Sequence, residues 1–363
     1  MSQPNPKRFS SPASFIGLQN QGIISFGSGQ PDLPPPPGIF EKLETPQVFQ
    51  YGLIQGEIEL RERLSQDYPG IRPDNYIITN GASEALDLTF RAIHELHGPV
   101  KVLVCRPYYY SYPPILELAG LEPVYSDLVD GRIDLEDFKT KLPEVKAILI
   151  NSPSNPTGRI EDIETLKTIE AIAAEHDKYV ISDEVYKDLI YTRENYYIKG
   201  KHVITINSFS KTYAMCGLRI GYLCTPDHAL LDKVFEMKTH TSMNTSIIGQ
   251  QMALRALNVP PGYVEDQTAV WKERRDFIYN ELVAMGFDLW NPEGAFYVFP
   301  RVSNASQVVT DLFYDHQVIV YDGAWFGDPG RIRLSYALDI KQMEEGLKRI
   351  GHYFEAKKDW LSN

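Results

Sequence analysis

Between residues 75 and 225 short, mainly apolar, β-rich runs alternate with longer stretches whose apolar positions recur every three or four residues. "NYIIT", "VKVLVC", "VKAILI", "KYVIS", "HVITI" and "LRIGYLC" have the length and β-branched content of strands covered on both faces. "SEALDLTFRAIHEL" and "DIETLKTIEAIAAEH" carry helical spacing between them. The alternation predicts an α/β domain with a mostly parallel central sheet between helices.

The pattern changes on either side. "SGQPDLPPPPGIF" is too rich in proline for a central strand or a helix interior, so it should run extended over the surface or between lobes. From about residue 260 a long helix, "VEDQTAVWKERRDFIYNELVAMG", precedes the strand candidates "AFYVFP", "VIVYDGAWFG" and "RIRLSYA" and a closing helix, "IKQMEEGLKRIGHYFEAKKDW". Runs of this kind suggest a smaller α+β domain. The expected division is a large domain over 40–255 and a small domain formed by 1–39 with 256–363.

In parallel sheets ligands gather beyond the carboxyl ends of the strands, so the polar residues there carry the candidate chemistry. Lys211 follows the run "HVITINSFS", and Arg219 lies between Leu218 and Ile220 in a run that reads as buried strand, where a guanidinium demands an anion. Asp183 ends "YVISD", where a carboxylate needs a partner; it could equally cap the following turn. Gly81, Ala82 and Ser83 stand where a strand passes into a helix, a place for phosphate or for an ordinary cap. Ser208 and Ser210 could donate to the same phosphate. Tyr109 could stack on a ring, and Tyr186 and Asn155 could bond its hydroxyl, although tyrosine clusters more often serve packing. Together these residues would serve an aldehyde cofactor with a pyridine ring and a phosphate, joined to Lys211 as an imine.

Composition narrows the classes. A net charge of −12 disfavours a nucleic-acid surface, so an anionic ligand must be held by local cations. No apolar run reaches membrane-spanning length, and "MSQPNPKRFSSPASFIG" lacks the core of an export signal, so a cytoplasmic protein with no membrane association is expected. The spacing of Cys105, Cys216 and Cys224 fits neither a disulfide framework nor structural zinc. His94 and His97 have helix-face spacing without a third ligand, which favours solvated side chains over a metal site.

"NSPSNPTG", "SDEVY", "SFSKTYAMCGLRIGY", "EGAFYVFP" and "RIRLSYA", in this order, resemble the class I/II aminotransferases, enzymes of fold type I that use pyridoxal 5'-phosphate. The resemblance implies that Lys211 is the Schiff-base lysine and general acid/base, and Asp183 the partner of the ring nitrogen. Tyr186 and Asn155 match the contacts to the ring hydroxyl, Tyr109 the stacking aromatic, and Ala82, Ser83, Ser208 and Arg219 the phosphate cup. Arg333 matches the arginine that grips the substrate's α-carboxylate, and Gly29 a backbone position lining the substrate pocket. Tyr51 matches a tyrosine reaching the phosphate of a neighbouring subunit, which implies a homodimer. The expected reaction is ping-pong transfer of an amino group between an L-amino acid and a 2-oxo acid. Carbon–sulfur elimination, or the elimination that makes a cyclopropane amino acid, would use the same cup. A cofactor-sensing regulatory module is a more distant alternative.

Overall fold

The computed structural model describes residues 12–15, 22–41, 50–192, 194–260 and 262–361. Its strands in chain order are β1 (Ile24–Ser25), β2 (Tyr76–Thr79), β3 (Lys101–Arg106), β4 (Glu122–Val129), β5 (Arg132–Ile133), β6 (Ala147–Asn151), β7 (Tyr179–Asp183), β8 (Val203–Ser208), β9 (Gly221–Cys224), β10 (Tyr297–Val298), β11 (Val318–Ile319), β12 (Tyr321–Asp322) and β13 (Ile332–Ser335).

Eight of them form one sheet in the order β2-β9-β8-β7-β6-β3-β4-β5. β4, β3, β6, β7 and β8 run parallel to one another, while β5 is antiparallel to β4 and β9 is antiparallel to both β8 and β2. The apolar runs are explained by burial on both faces. In β3, Val102 and Val104 enter one core while Leu103 enters the other; in β6, Ala147 and Leu149 face the first and Ile148 and Ile150 the second. The helix Ala82–His97 packs Leu86, Phe90 and Ile93 into the first core, and Ile163–Glu175 packs Leu166 and Ile169 into the second. β4 was absent from the predicted strands. Its sequence, "EPVYSDLV", has Ser126 as its one buried residue, is otherwise half-buried or exposed near the sheet edge, and includes a proline, so it lacks the apolar run that marked the others.

A further core joins Trp271 and Ile278 of the helix Tyr263–Ala284 to Phe296, Leu334 and, from the helix Ile340–Glu355, Leu347. Phe26 belongs to the same core, and β1 pairs in parallel with β11, so the described amino-terminal segment packs with the carboxyl-terminal elements. The strands predicted here are much shorter than their apolar runs: β10 keeps two residues, and β11 and β12 are separate two-residue strands. β10, β13 and β12 make a small antiparallel sheet that carries Arg333.

Candidate active site

β2, β3, β6, β7 and β8 end on the same edge of the sheet, and the residues following them meet there. Asp183 is the last residue of β7, paired in register with Asn151 at the end of β6. It is buried, accepts 2.7 Å from the Tyr112 hydroxyl and 3.3 Å from the Val185 N–H, and makes no ion pair among the described residues. Burial pushes its carboxyl up to about 6, against the pull of the Tyr112 and Val185 bonds and of Lys211. Asn151 fixes the neighbouring loop by donating 3.0 Å to the Asp183 carbonyl and accepting 2.8 Å from the Asn155 N–H. Tyr109 packs edge-on against Tyr112, with ring centroids 5.4 Å apart, so the aromatic at the end of β3 is tied to the carboxylate at the end of β7.

The residues expected to form the phosphate cup are brought together by β9. Gly221 lies opposite Thr79 on one side and Ser208 on the other, which brings the chain just before it beside both the start of the helix Ala82–His97 and the Ser208–Lys211 turn. A side chain at Gly221 would come within 2.7 Å of the Ala82 nitrogen. Gly81, with φ of +77°, turns the strand into the helix, and a Cβ on it would meet the Arg219 guanidinium at 2.5 Å. Ser83 is exposed and Ala82 partly so, leaving helix-start amides facing outward beside that guanidinium. The Ser210 N–H donates 3.3 Å to the Ser208 hydroxyl, so these two serines also meet.

The setting of Arg219 corrects the sequence reading. It is exposed rather than buried in a strand, has left-handed backbone with φ of 56°, and precedes β9. The chain must reverse between two antiparallel strands, and the turn Cys216–Leu218 with Arg219 makes that reversal. Its guanidinium donates to the carbonyls of Cys216 (3.1 Å) and Asn80 (3.4 Å), and among the described residues it pairs with no carboxylate.

Lys211 is partly buried, and its amine donates 2.5 Å to the Gly29 carbonyl. Burial holds the amine below the usual lysine range; Arg333 and Arg219 add to this, and Cys216 and Asp183 oppose it. The proline-rich segment therefore crosses the site, where Gly27 also accepts 2.7 Å from Arg333. Arg333 is buried and donates 2.9 Å to Asn155 Oδ1, while its Nε has no partner. Among the described residues no carboxylate pairs with it. Three rings surround its guanidinium instead: Tyr297 at 4.4 Å, Tyr321 at 4.8 Å and Phe326 at 4.8 Å. A buried cation in this state is built to receive an anion.

The residues singled out as cofactor or substrate contacts, Tyr51 excepted, lie in this one region. Tyr51 is 80% exposed. Tyr186 is buried, and its hydroxyl is 2.7 Å from that of Tyr297. Sequence reasoning missed Tyr112 and Tyr297. Tyr112 stands one helical turn after Tyr109 in "RPYYYSY", a spacing that could have linked them; Tyr297 lies in the quoted motif "EGAFYVFP" with nothing to mark it as different from core. The paired histidines have separate settings: His97 is 3.2 Å from the Tyr179 hydroxyl, whereas His94 packs against Gly120.

The family model for aminotransferase class I and II matches residues 21–350, a span that includes every assembled residue. The chain belongs to this family. An aspartate aminotransferase of Bacillus subtilis is similar at 32% identity, with 94% of each protein covered. An aromatic-amino-acid aminotransferase of Thermococcus litoralis is also 32% identical, with 93% of each covered. The solved aspartate aminotransferase of Thermotoga maritima matches with a TM-score of 0.87 at 31% identity over 95% of both chains. This aminotransferase has the fold type I architecture expected from its sequence. It is a pyridoxal-phosphate-dependent enzyme that moves an amino group between an amino acid and a 2-oxo acid. Its residues fit the cofactor: the buried Asp183 carboxylate lacks a cation, and the glycine-lined cradle at Gly81 and Gly221 opens between a helix start and a guanidinium. Among the described residues no helix is long and apolar enough to cross a membrane.

Proposed function

We propose that Lys211 carries the cofactor and moves the substrate's α-proton, while Asp183 holds the ring nitrogen and Arg333 the α-carboxylate. The observation that carries this reading is a matched pair of charges flanking one lysine that find no ion-pair partner among the described residues: the buried Asp183 carboxylate and the buried Arg333 guanidinium. Pyridoxal phosphate supplies an aldehyde for the lysine amine and a cationic ring that draws electron density from the substrate's α-carbon. Burial lowers the basicity of the Lys211 amine, which suits it to give up a proton and take one at Nζ. Arg333, its planar group fixed by Asn155 and the Gly27 carbonyl, binds and orients the carboxylate. Ala82, Ser83, Ser208, Ser210 and Arg219 hold the phosphate. Tyr109 covers the ring face, Tyr186 and Asn155 bond its hydroxyl oxygen, and Gly29 lines the substrate side.

The test is the visible absorption spectrum of the holoenzyme with single amino acids added. The lysine-dependent band should disappear with a donor and return with a 2-oxo acid; a band indifferent to every donor would contradict the assignment.

The active unit is a homodimer in which the partner subunit's Tyr51 reaches the phosphate, a reading supported by the 80% exposure of that ring. Sedimentation at twice the 41.3 kDa chain mass, with weaker cofactor binding in Tyr51→Phe, is the expected outcome. The division into a large domain of 40–255 and a small one of 1–39 with 256–363 is supported by the core that joins Phe26 to the carboxyl-terminal elements, into which the large domain sends Tyr186 and Leu189. The location is cytoplasmic, supported by the three free cysteines.

A further inference from the structure

Tyr297 touches three parts of the site at once. Its hydroxyl is 2.7 Å from that of Tyr186, its ring lies 4.4 Å from the Arg333 guanidinium, and a side chain on Gly29, whose carbonyl holds Lys211, would overlap its oxygen. Two buried phenols that share a hydrogen bond must settle which one donates. Burial pushes both hydroxyls above the ordinary tyrosine range, so each keeps its single proton. A Tyr186 that gives its proton to the cofactor's ring hydroxyl has none left for its neighbour, so the bond between the two phenols is then donated by Tyr297.

We propose that Tyr297 is a positioning residue that donates to Tyr186 and thereby directs the Tyr186 proton toward the cofactor's ring hydroxyl. This rests on the reading of Tyr186 as a cofactor contact. The arrangement also links Arg333 to that contact, since the guanidinium polarises the phenol that orients Tyr186. Filling Arg333 with a substrate carboxylate weakens the polarisation, so occupation of the carboxylate seat is felt at the cofactor through a route separate from the Arg333–Asn155 bond.

The experiment is a pH titration of the visible band of the holoenzyme in wild type, Tyr297→Phe, Tyr186→Phe and the double variant. Phenylalanine keeps the ring over Arg333 and removes only the hydroxyl. Losing a donor to Tyr186 weakens its own bond to the ring oxygen, so the midpoint in Tyr297→Phe should rise by about half a pH unit. Tyr186→Phe should raise it further, and Tyr297→Phe should add nothing in that background. A midpoint unmoved by Tyr297→Phe while Tyr186→Phe shifts it overturns the proposal and leaves the site assignment intact. A shift that persists in the Tyr186→Phe background also overturns it, because the hydroxyl would then act by another route. If Tyr186→Phe is itself silent, the cofactor role of Tyr186 fails and the proposal with it.

Discussion

Replacing Asp183 by asparagine should stabilise the enzyme when pyridoxal phosphate is removed and cripple it when the cofactor is bound. Burial raises this carboxyl from an ordinary 3.8 to about 6, so ionising it in the folded cofactor-free protein costs roughly 3 kcal/mol at neutral pH. Because the folded value lies above the unfolded one, the benefit of the neutral acid is complete below about pH 3.8 and is lost as the pH rises to about 6. Asparagine is neutral throughout. It can still accept from Val185 and face Tyr112, at a cost of about 1 kcal/mol for the Tyr112 proton that loses its acceptor.

The net gain is therefore about 2 kcal/mol above pH 7, vanishing or reversing near pH 4. For a chain of this length it corresponds to a melting midpoint about 3 °C higher. The assay is thermal denaturation of cofactor-free wild type and Asp183→Asn between pH 4 and 8, repeated after reconstitution. With pyridoxal phosphate bound the order should invert, since the ring nitrogen then supplies the missing cation and only aspartate can answer it. A cofactor-free Asp183→Asn protein that melts at or below wild type at pH 8, with no pH dependence in the difference, would refute the reasoning.

Lys211→Ala should abolish the visible band and lower turnover by at least about 10³-fold, measured with an amino donor and a coupled assay for the oxo acid formed. Arg333→Gln should raise KM for amino acids by roughly 10- to 200-fold while the band of the resting enzyme persists; unchanged affinity would reassign the carboxylate seat. Glu84→Gln should cost about 3 kcal/mol in denaturant unfolding, because Lys238, fully buried and 3.1 Å from Glu84, is left without its counter-charge. Gly29→Ala should lower activity by pushing the proline-rich segment off Lys211, and Tyr297→Phe in the same chain should partly restore it by opening the space.

The large sheet was legible in the sequence because its strands are buried on both faces, which leaves stretches such as "AILI" in "VKAILI" with no polar position to confuse them with a loop. β4 escaped for the opposite reason, since near an edge one face stays wet and the run is broken. The short strands around Arg333 had apolar neighbours on every side, so their runs said where the core lay but not where the ladder stopped.

The site divides along the same line. Lys211, Asp183 and Asn155 each follow a strand whose direction the alternation of elements had already implied, so their convergence on one sheet edge was foreseeable from order alone. The local pattern around Arg219 pointed to a buried strand, because a turn between two apolar strands looks like a continuation of them; only the antiparallel entry of β9 between β2 and β8 sets that guanidinium at the helix start. Tyr112 under Asp183 and Tyr297 beside Tyr186 depend on side-chain approach after the chain has closed. Sequence alone determined which residues had to be buried and which chemical groups were available. Tertiary structure decided which met, because Arg333 reaches Asn155 across 178 positions and Gly27 across 306, and no local pattern encodes contacts at such separations.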